Sequence, residues 1–286
     1  MPTAPFRQVD VFSAEPFRGN PVAVVDLTGG ERGGPLDVSD ARMQAFARWT
    51  NLSETTFLLP PVDPGADYRL RIFTPGGELP FAGHPTLGSC AAWLAGAAPE
   101  RRGTVVQECA IGLVELRVTD AGIAFVAPPL LRGGAVAPAD LDAAVRVLGL
   151  DPADVEDAAW VDNGPGWLGL LLRDVDTVLG LTPDFAAMGA ADLKLGVAAR
   201  FPEGGPADLE VRAFVPGIGV AEDPVTGSLN AGLAVWLLGN GTLPGAYTAR
   251  QGTVLDRNGR VEIRPEGERI WVGGATRILI EGTVEI

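Results

Sequence analysis

Two stretches of the chain, "LRIFTPGGELPFAGHPTLGSCAAWLAG" at 70–96 and "VRAFVPGIGVAEDPVTGSLNAGLAVWLLG" at 211–239, can be laid side by side, and their likeness decides the fold. Arg71, Phe73, Pro75 and Gly76 match Arg212, Phe214, Pro216 and Gly217 at an offset of 141. Pro80, Gly83 and His84 face Pro224, Gly227 and Ser228 at 144, and Trp93, Leu94 and Gly96 face Trp236, Leu237 and Gly239 at 143. Each copy reads as a strand carrying R-x-F-x-P-G, a loop, and then a helix rich in Ala, Gly and Leu that ends W-L-x-G. A repeat in this ordered strand, loop and helix context implies an α+β chain of two similar domains facing each other. Both helices are apolar on every side, so each is expected to run through the centre of its domain, with small residues letting strands pack close.

Working outward, "QVDVF" and "PVAVVDL" read as strands joined by the turn "EPFRGN". The run 36–51 reads as a helix capped by Ser39 or Asp40, followed by the strands "TTFLLPP" and "YRLRIFTP". Pro85 is placed for a first helical turn and Gly96 for a terminator. The strands "TVVQECA", "LVELRVTD" and "IAFVAPP" complete a first domain, expected over residues 1–127. The Pro-, Gly- and Ala-rich run "APPLLRGGAVAPADLDAA" is the linker candidate, and the second domain is expected over 128–286, its last strand, near 277–286, packing back onto the first.

Composition limits the function. Of 286 residues, 47% are hydrophobic and 20% charged, which supplies ample material for two cores. A formal charge of −14 disfavours nucleic acid and anionic membrane surfaces as partners, yet leaves room for a small anion held by a few local donors. No apolar run suits a signal peptide or a membrane span, so a cytoplasmic setting is expected. Cys90 and Cys109 are too few for a disulfide framework, and their spacing fits no usual zinc pattern. His84 is the only histidine, so a His-rich metal site cannot be built, and no phosphate-binding or dinucleotide fingerprint is present. No metal or organic cofactor is expected.

In both copies a glycine-containing loop delivers the chain into the N-terminus of an apolar helix, where backbone N–H groups and the positive end of the dipole converge. A small carboxylate suits that place, and two such helix ends meeting across an interdomain cleft would hold an acid from both sides. The plainer alternative is that Gly83 and Gly227 only permit tight turns. Among proton-moving candidates, Glu54 in "NLSETTF" lies between a helix and a strand. A carboxyl in a largely apolar pocket has its charged form disfavoured, which suits it to proton transfer at neutral pH. As alternatives, Glu54 is a helix-end acid, Asp223 a turn residue before Pro224, and Ser228 a helix cap.

"VFSAEPFRGNPVAVV", "NLSETTF", "FTPGGELPFAGHPTLG" and "AEDPVTGS" together resemble the signature segments of the phenazine-biosynthesis PhzF-like family of isomerases. The likeness spans nearly the whole chain. It implies the diaminopimelate epimerase-like fold, in which each of two domains is a sheet wrapped round a central helix and the active site lies in the interdomain cleft. It implies an acid/base role for Glu54, places the Gly-His loop at Gly83 and His84, and places the second domain's aspartate and Gly-Ser at Asp223, Gly227 and Ser228. On that pattern Glu54 carries a proton between two positions of a small cyclic or unsaturated carboxylic acid. His84 and Asp223 orient the substrate and balance charge, while Gly83, Gly227 and Ser228 bind its carboxylate. A homodimer is implied by the family as well.

Readings from other classes stay open: a non-catalytic binder of small carboxylates, and a protein in which the repeat only buries a core. Racemases of this fold use a pair of thiols, but Cys90 lies inside the first helix and Cys109 in a strand, which reads as two buried structural cysteines. After the second Gly-Ser stand Leu229 and Asn230, expected to alter one wall of the pocket and with it the choice of substrate.

Overall fold

A computed structural model describes residues 2–29, 34–97, 100–218 and 220–286. The chain divides into two compact units, Met1–Val126 with Gly273–Ile286, and Ala127–Val272.

In the first unit, β1 (Thr3–Val11) and β2 (Asn20–Asp26) form the expected hairpin, in register from Phe6 opposite Val25 to Val11 opposite Asn20. Helix α1 (Asp40–Thr50) then leads into β3 (Glu54–Leu59), which runs parallel to β2 with Glu54 beside Val22. Ser39 is the residue before α1, although its side chain makes no capping hydrogen bond. β4 (Tyr68–Phe73) pairs antiparallel with β3 and with the two-residue β5 (Glu78–Leu79). After helix α2 (Gly83–Ala97), β6 (Gly103–Cys109) returns parallel to β4, and β7 (Gly112–Thr119) and β8 (Gly122–Val126) continue as an antiparallel meander. The strand at Thr276–Glu285 pairs antiparallel with β1.

The strands of this unit surround α2, whose residues from Gly83 through Cys90 are all buried. Such a helix is stabilised by packing on every face, at about 1.5–3 kcal/mol for each large apolar side chain removed from water. The packing is close because of Gly88: a Cβ there would stand 2.3 Å from Val22 Cγ1 and 3.1 Å from Val11 Cγ2. The expected terminator Gly96 lies within α2, which runs one residue further, so this glycine does not end the helix. A Cβ at Gly96 would come within 3.5 Å of Arg7 Nη1, whose guanidinium also reaches Ala92 O.

In the second unit the expected linker is structured. β9 (Arg132–Ala135) and α3 (Pro138–Leu148) occupy it, and β9 pairs antiparallel with β10 (Val155–Asp162). Gly133 and Gly134 lie within β9 and Pro138 opens α3, while Ala144, Val145, Val147 and Leu148 supply α3 with a buried stripe. β11 (Trp167–Leu172) pairs antiparallel with β10, and after the short helices α4 (Val175–Gly180) and α5 (Phe185–Ala190), β12 (Lys194–Arg200) runs parallel to β11. β13 (Leu209–Val215) pairs antiparallel with β12 and with β14 (Val220–Asp223). Following α6 (Gly227–Gly239), β15 (Tyr247–Gln251) is parallel to β13 and antiparallel to β16 (Gly259–Glu266). β17 (Arg269–Gly274) then leads to the strand at Thr276–Glu285, which is β18. From β10 to β16 this order of parallel and antiparallel pairings is the order from β1 to β7.

The matched sequence motifs have matched structural reasons. Arg71 on β4 grips Glu78 through Nε and Nη2 at 2.8 and 2.7 Å, and Arg212 on β13 grips Glu222 the same way at 2.9 and 2.8 Å. Both guanidinium groups also lie over the phenylalanine two residues on, at 5.1 Å from the Phe73 centroid and 4.8 Å from that of Phe214. Gly232 in α6 parallels Gly88, since a Cβ there would stand 2.2 Å from the Val161 carbonyl oxygen. Among the described residues no helix is long and apolar enough to cross a membrane.

Candidate functional site

Parallel pairing of β2 with β3 decides where Glu54 points. Val22 packs on Gly88 of α2, so residues two apart on β2, and their partners on β3, share the face turned to that helix. Thr56 confirms the register, its hydroxyl lying 2.8 Å from that of Ser89 on α2. Glu54, first residue of β3 and 8% exposed, is therefore carried to the N-terminal end of α2, where His84 is the second helical residue and 3% exposed. Glu54 Oε2 and His84 Nε2 approach to 3.1 Å, outside hydrogen-bonding alignment. Glu54 Oε2 is fully buried and has no hydrogen-bond partner among the described residues. A buried acceptor left in that state costs about 1–3 kcal/mol, which a bound ligand supplying a proton would recover.

On its other side His84 meets Asn20, whose Nδ2 lies 3.2 Å from His84 Nδ1. Asn20 is the first residue of β2 and fully buried, and Ser53 Oγ reaches its Oδ1 at 3.5 Å. Sequence reasoning read Asn20 only as the end of a turn. The available signal was its position, two residues before Val22 and so on the same face as Glu54. α2 has no acidic residue in its first turn, and Pro85 carries no N–H.

The second unit brings together Asp223, Gly227 and Ser228. Thr226, not Ser228, occupies the capping position of α6, and its hydroxyl donates to Asp223 Oδ2 at 2.6 Å. Ser228 is the second helical residue, as His84 is in α2. Its Oγ accepts a 3.0 Å hydrogen bond from Trp167 Nε1, which leaves the hydroxyl proton to be given elsewhere. Its carbonyl accepts from Asn163 Nδ2 at 2.9 Å. Gln251, fully buried on β15, ties the segment down: Oε1 accepts from Thr226 N and Asn230 Nδ2, and Nε2 donates to Asp223 O and Thr226 Oγ1. Gln107 on β6 holds α2 comparably, through a 3.1 Å hydrogen bond to Thr86 Oγ1.

Leu229 and Asn230 do not form a pocket wall as expected from the sequence. Both are fully buried inside the second unit, Leu229 against Gly196 and Asn230 bonded to Thr226 O and Gln251. Cys90 and Cys109 are free and buried, and burial pushes the Cys90 thiol up to about 12 and raises that of Cys109. Neither is the activated thiolate that a two-thiol racemase needs.

The family model described as "Phenazine biosynthesis-like protein" matches residues 9–284. Antisense-enhancing sequence 1 of Schizosaccharomyces pombe is 37% identical over 295 residues, covering 97% of each chain. The trans-2,3-dihydro-3-hydroxyanthranilate isomerase of Pseudomonas aeruginosa is 35% identical over 268 residues, covering 91% of this chain and 89% of the relative. Among solved structures, a phenazine biosynthesis protein of the PhzF family from Enterococcus faecalis superposes with a TM-score of 0.79 at 28% identity, covering 99% of this chain and all of the other.

Proposed function

Starting from the fact that the chain belongs to the phenazine biosynthesis-like, PhzF-like family of isomerases, we propose that it shifts a proton within a small cyclic or unsaturated carboxylic acid, with Glu54 as the acid/base group. The observation that carries this reading is the buried Oε2 of Glu54, 3.1 Å from His84 Nε2 and without a hydrogen-bond partner among the described residues. In the forward half-reaction a substrate C–H bond breaks and an O–H bond forms on Glu54, leaving a delocalised carbanion. In the second half Glu54, whose carboxyl proton exchanges with solvent while the carbanion is held, delivers a proton to a different carbon, so the carboxylate is regenerated and nothing is consumed. His84 orients the substrate and balances the charge that develops. Asp223 holds Thr226 and so steadies the segment that presents Ser228. The Ser228 hydroxyl and the backbone near Gly83 and Gly227 take the substrate carboxylate. The cyclohexadiene acid named for the Pseudomonas relative is one member of this substrate class. Cytoplasmic residence and a homodimer belong to the same reading, and light scattering tests the second.

The deciding experiment incubates a panel of small unsaturated and cyclic acids, a dihydro-hydroxyanthranilate among them, with the protein in deuterated buffer. Deuterium entering one acid, together with its isomerisation, is the expected result. The Glu54→Gln variant should bind that acid by calorimetry with little change and show no exchange above background. Saturable binding without exchange by the wild-type protein would make it a binder, and a fully active Glu54→Gln variant would remove Glu54 from the mechanism.

A further inference from the structure

We propose that Asn20 is a positioning residue which fixes His84 as its Nε2–H tautomer, so that the ring nitrogen 3.1 Å from Glu54 Oε2 carries a proton and not a lone pair. An amide nitrogen only donates, so the 3.2 Å approach of Asn20 Nδ2 to His84 Nδ1 makes Nδ1 the acceptor. The proton of the neutral ring then sits on Nε2, the nitrogen 3.1 Å from Glu54 Oε2. A ring protonated on both nitrogens would set N–H against N–H at Asn20. With the amide in this sense Ser53 Oγ donates to Asn20 Oδ1 at 3.5 Å.

The backbone fixes Asn20 as firmly as the amide. Asp10 Oδ2 accepts from the N–H groups of Arg18 and Gly19, both at 3.1 Å, which closes the turn immediately before Asn20. Gly19 is required there, because a Cβ would stand 2.2 Å from the Val11 carbonyl oxygen. Val11 in turn is the register partner of Asn20. Asn20 is fully buried, so water does not compete for its amide. The consequence for the reaction rests on the proton-shift reading above: an Nε2–H donor stabilises negative charge on Glu54 or on the substrate carbanion, and a lone pair in that place repels it.

Because His84 is the only histidine in the chain, its ring gives one imidazole signal set in a long-range proton–nitrogen correlation spectrum of ¹⁵N-labelled, ligand-free protein. The expected spectrum at neutral pH has Nε2 protonated and Nδ1 in the acceptor range. Asn20→Asp puts a carboxylate at Nδ1 and is expected to give a ring protonated on both nitrogens. Asn20→Ala is expected to give mixed tautomers, with kcat reduced on the order of 10²-fold and KM little changed. A wild-type ring protonated on Nδ1, or a spectrum unmoved by both substitutions in folded protein, overturns the inference. The wild-type spectrum needs no variant to fold and no substrate, so its failure is separate from that of Glu54 as the proton carrier, which Glu54→Gln decides.

Discussion

Arg212 and Glu222 form a buried ion pair, bidentate at 2.9 and 2.8 Å, with side chains only 6% and 7% exposed. Arg212 Nη1 also donates to the carbonyls of Val178 and Leu181 at 3.0 and 2.9 Å, so one guanidinium fastens α4 and the segment after it to β13. Arg71 makes the matching pair with Glu78, but Glu78 is 40% exposed and its second partner, Asp40, 79%.

Burial therefore separates two arginines that the sequence aligns. Arg212→Met leaves Glu222 charged and unpaired inside the protein and should cost about 3–5 kcal/mol in urea unfolding. The double variant Arg212→Met/Glu222→Leu should recover most of that loss. Arg71→Met should lower the midpoint far less, since water takes over both carboxylates. Equal losses at the two positions would refute the argument from desolvation.

Gly88→Ala and Gly232→Ala test how tightly strands pack on the two central helices. The added methyl at 88 meets the movable side chain of Val22 at 2.3 Å, and at 232 it meets the Val161 backbone carbonyl at 2.2 Å. Overpacking of this kind costs about 1–3 kcal/mol where side chains can yield, so Gly232→Ala should be the more damaging of the two. Chemical denaturation of both variants reads the order directly.

The Cys90 thiol supplies a pH dependence whose sign is fixed. Its value in the folded chain is pushed up to about 12 by burial, against an ordinary 9.0, so the unfolded chain releases this proton first. Its contribution to stability is complete below pH 9 and is lost as pH rises toward 12. Between those limits the wild type should lose about 1.4 kcal/mol per pH unit more than Cys90→Ala. Alkylating reagents at pH 8 should leave both cysteines unmodified in native protein.

Ser228→Ala should separate binding from chemistry. The hydroxyl is oriented by Trp167 and, on the reading given above, donates to a substrate carboxylate. Loss of a hydrogen bond to a charged group is worth about 1.5–3 kcal/mol, so KM should rise roughly 10- to 100-fold while kcat holds. Trp167→Phe should move KM in the same direction by a smaller factor. A fall in kcat alone would place Ser228 in the chemical step.

Much of this was legible in the sequence because the matched motifs lie where backbone and core demand them. The R-x-F motif marks an arginine that both pairs with a hairpin glutamate and covers a phenylalanine, and the small-residue helices mark places where strands come close. Glu54 and His84 were legible as candidates, whereas their 3.1 Å approach was not, because it depends on the β2–β3 register, which nothing local encodes. Asn20 was hidden by its turn-like surroundings, and Gln107 and Gln251 by lying on strands far in sequence from the helices they hold. The run 127–144 misled through composition: β9 is wholly exposed and leaves no apolar trace, and glycines and prolines drew attention away from the stripe on α3.

The strand β18 sits beside β1, and Ile286 N donates to Pro2 O at 2.9 Å, so the first unit is sewn from segments separated by the whole of the second. On the ribosome, residues 127–272, which form the second unit, emerge as a continuous block before β18 exists. During that interval β1 has β2 on one side and an open row of hydrogen-bonding groups on the other. The half of the protein that carries Glu54 is thus the later of the two to close, and a nascent chain halted before residue 276 should display a protected second unit and a protease-sensitive β1.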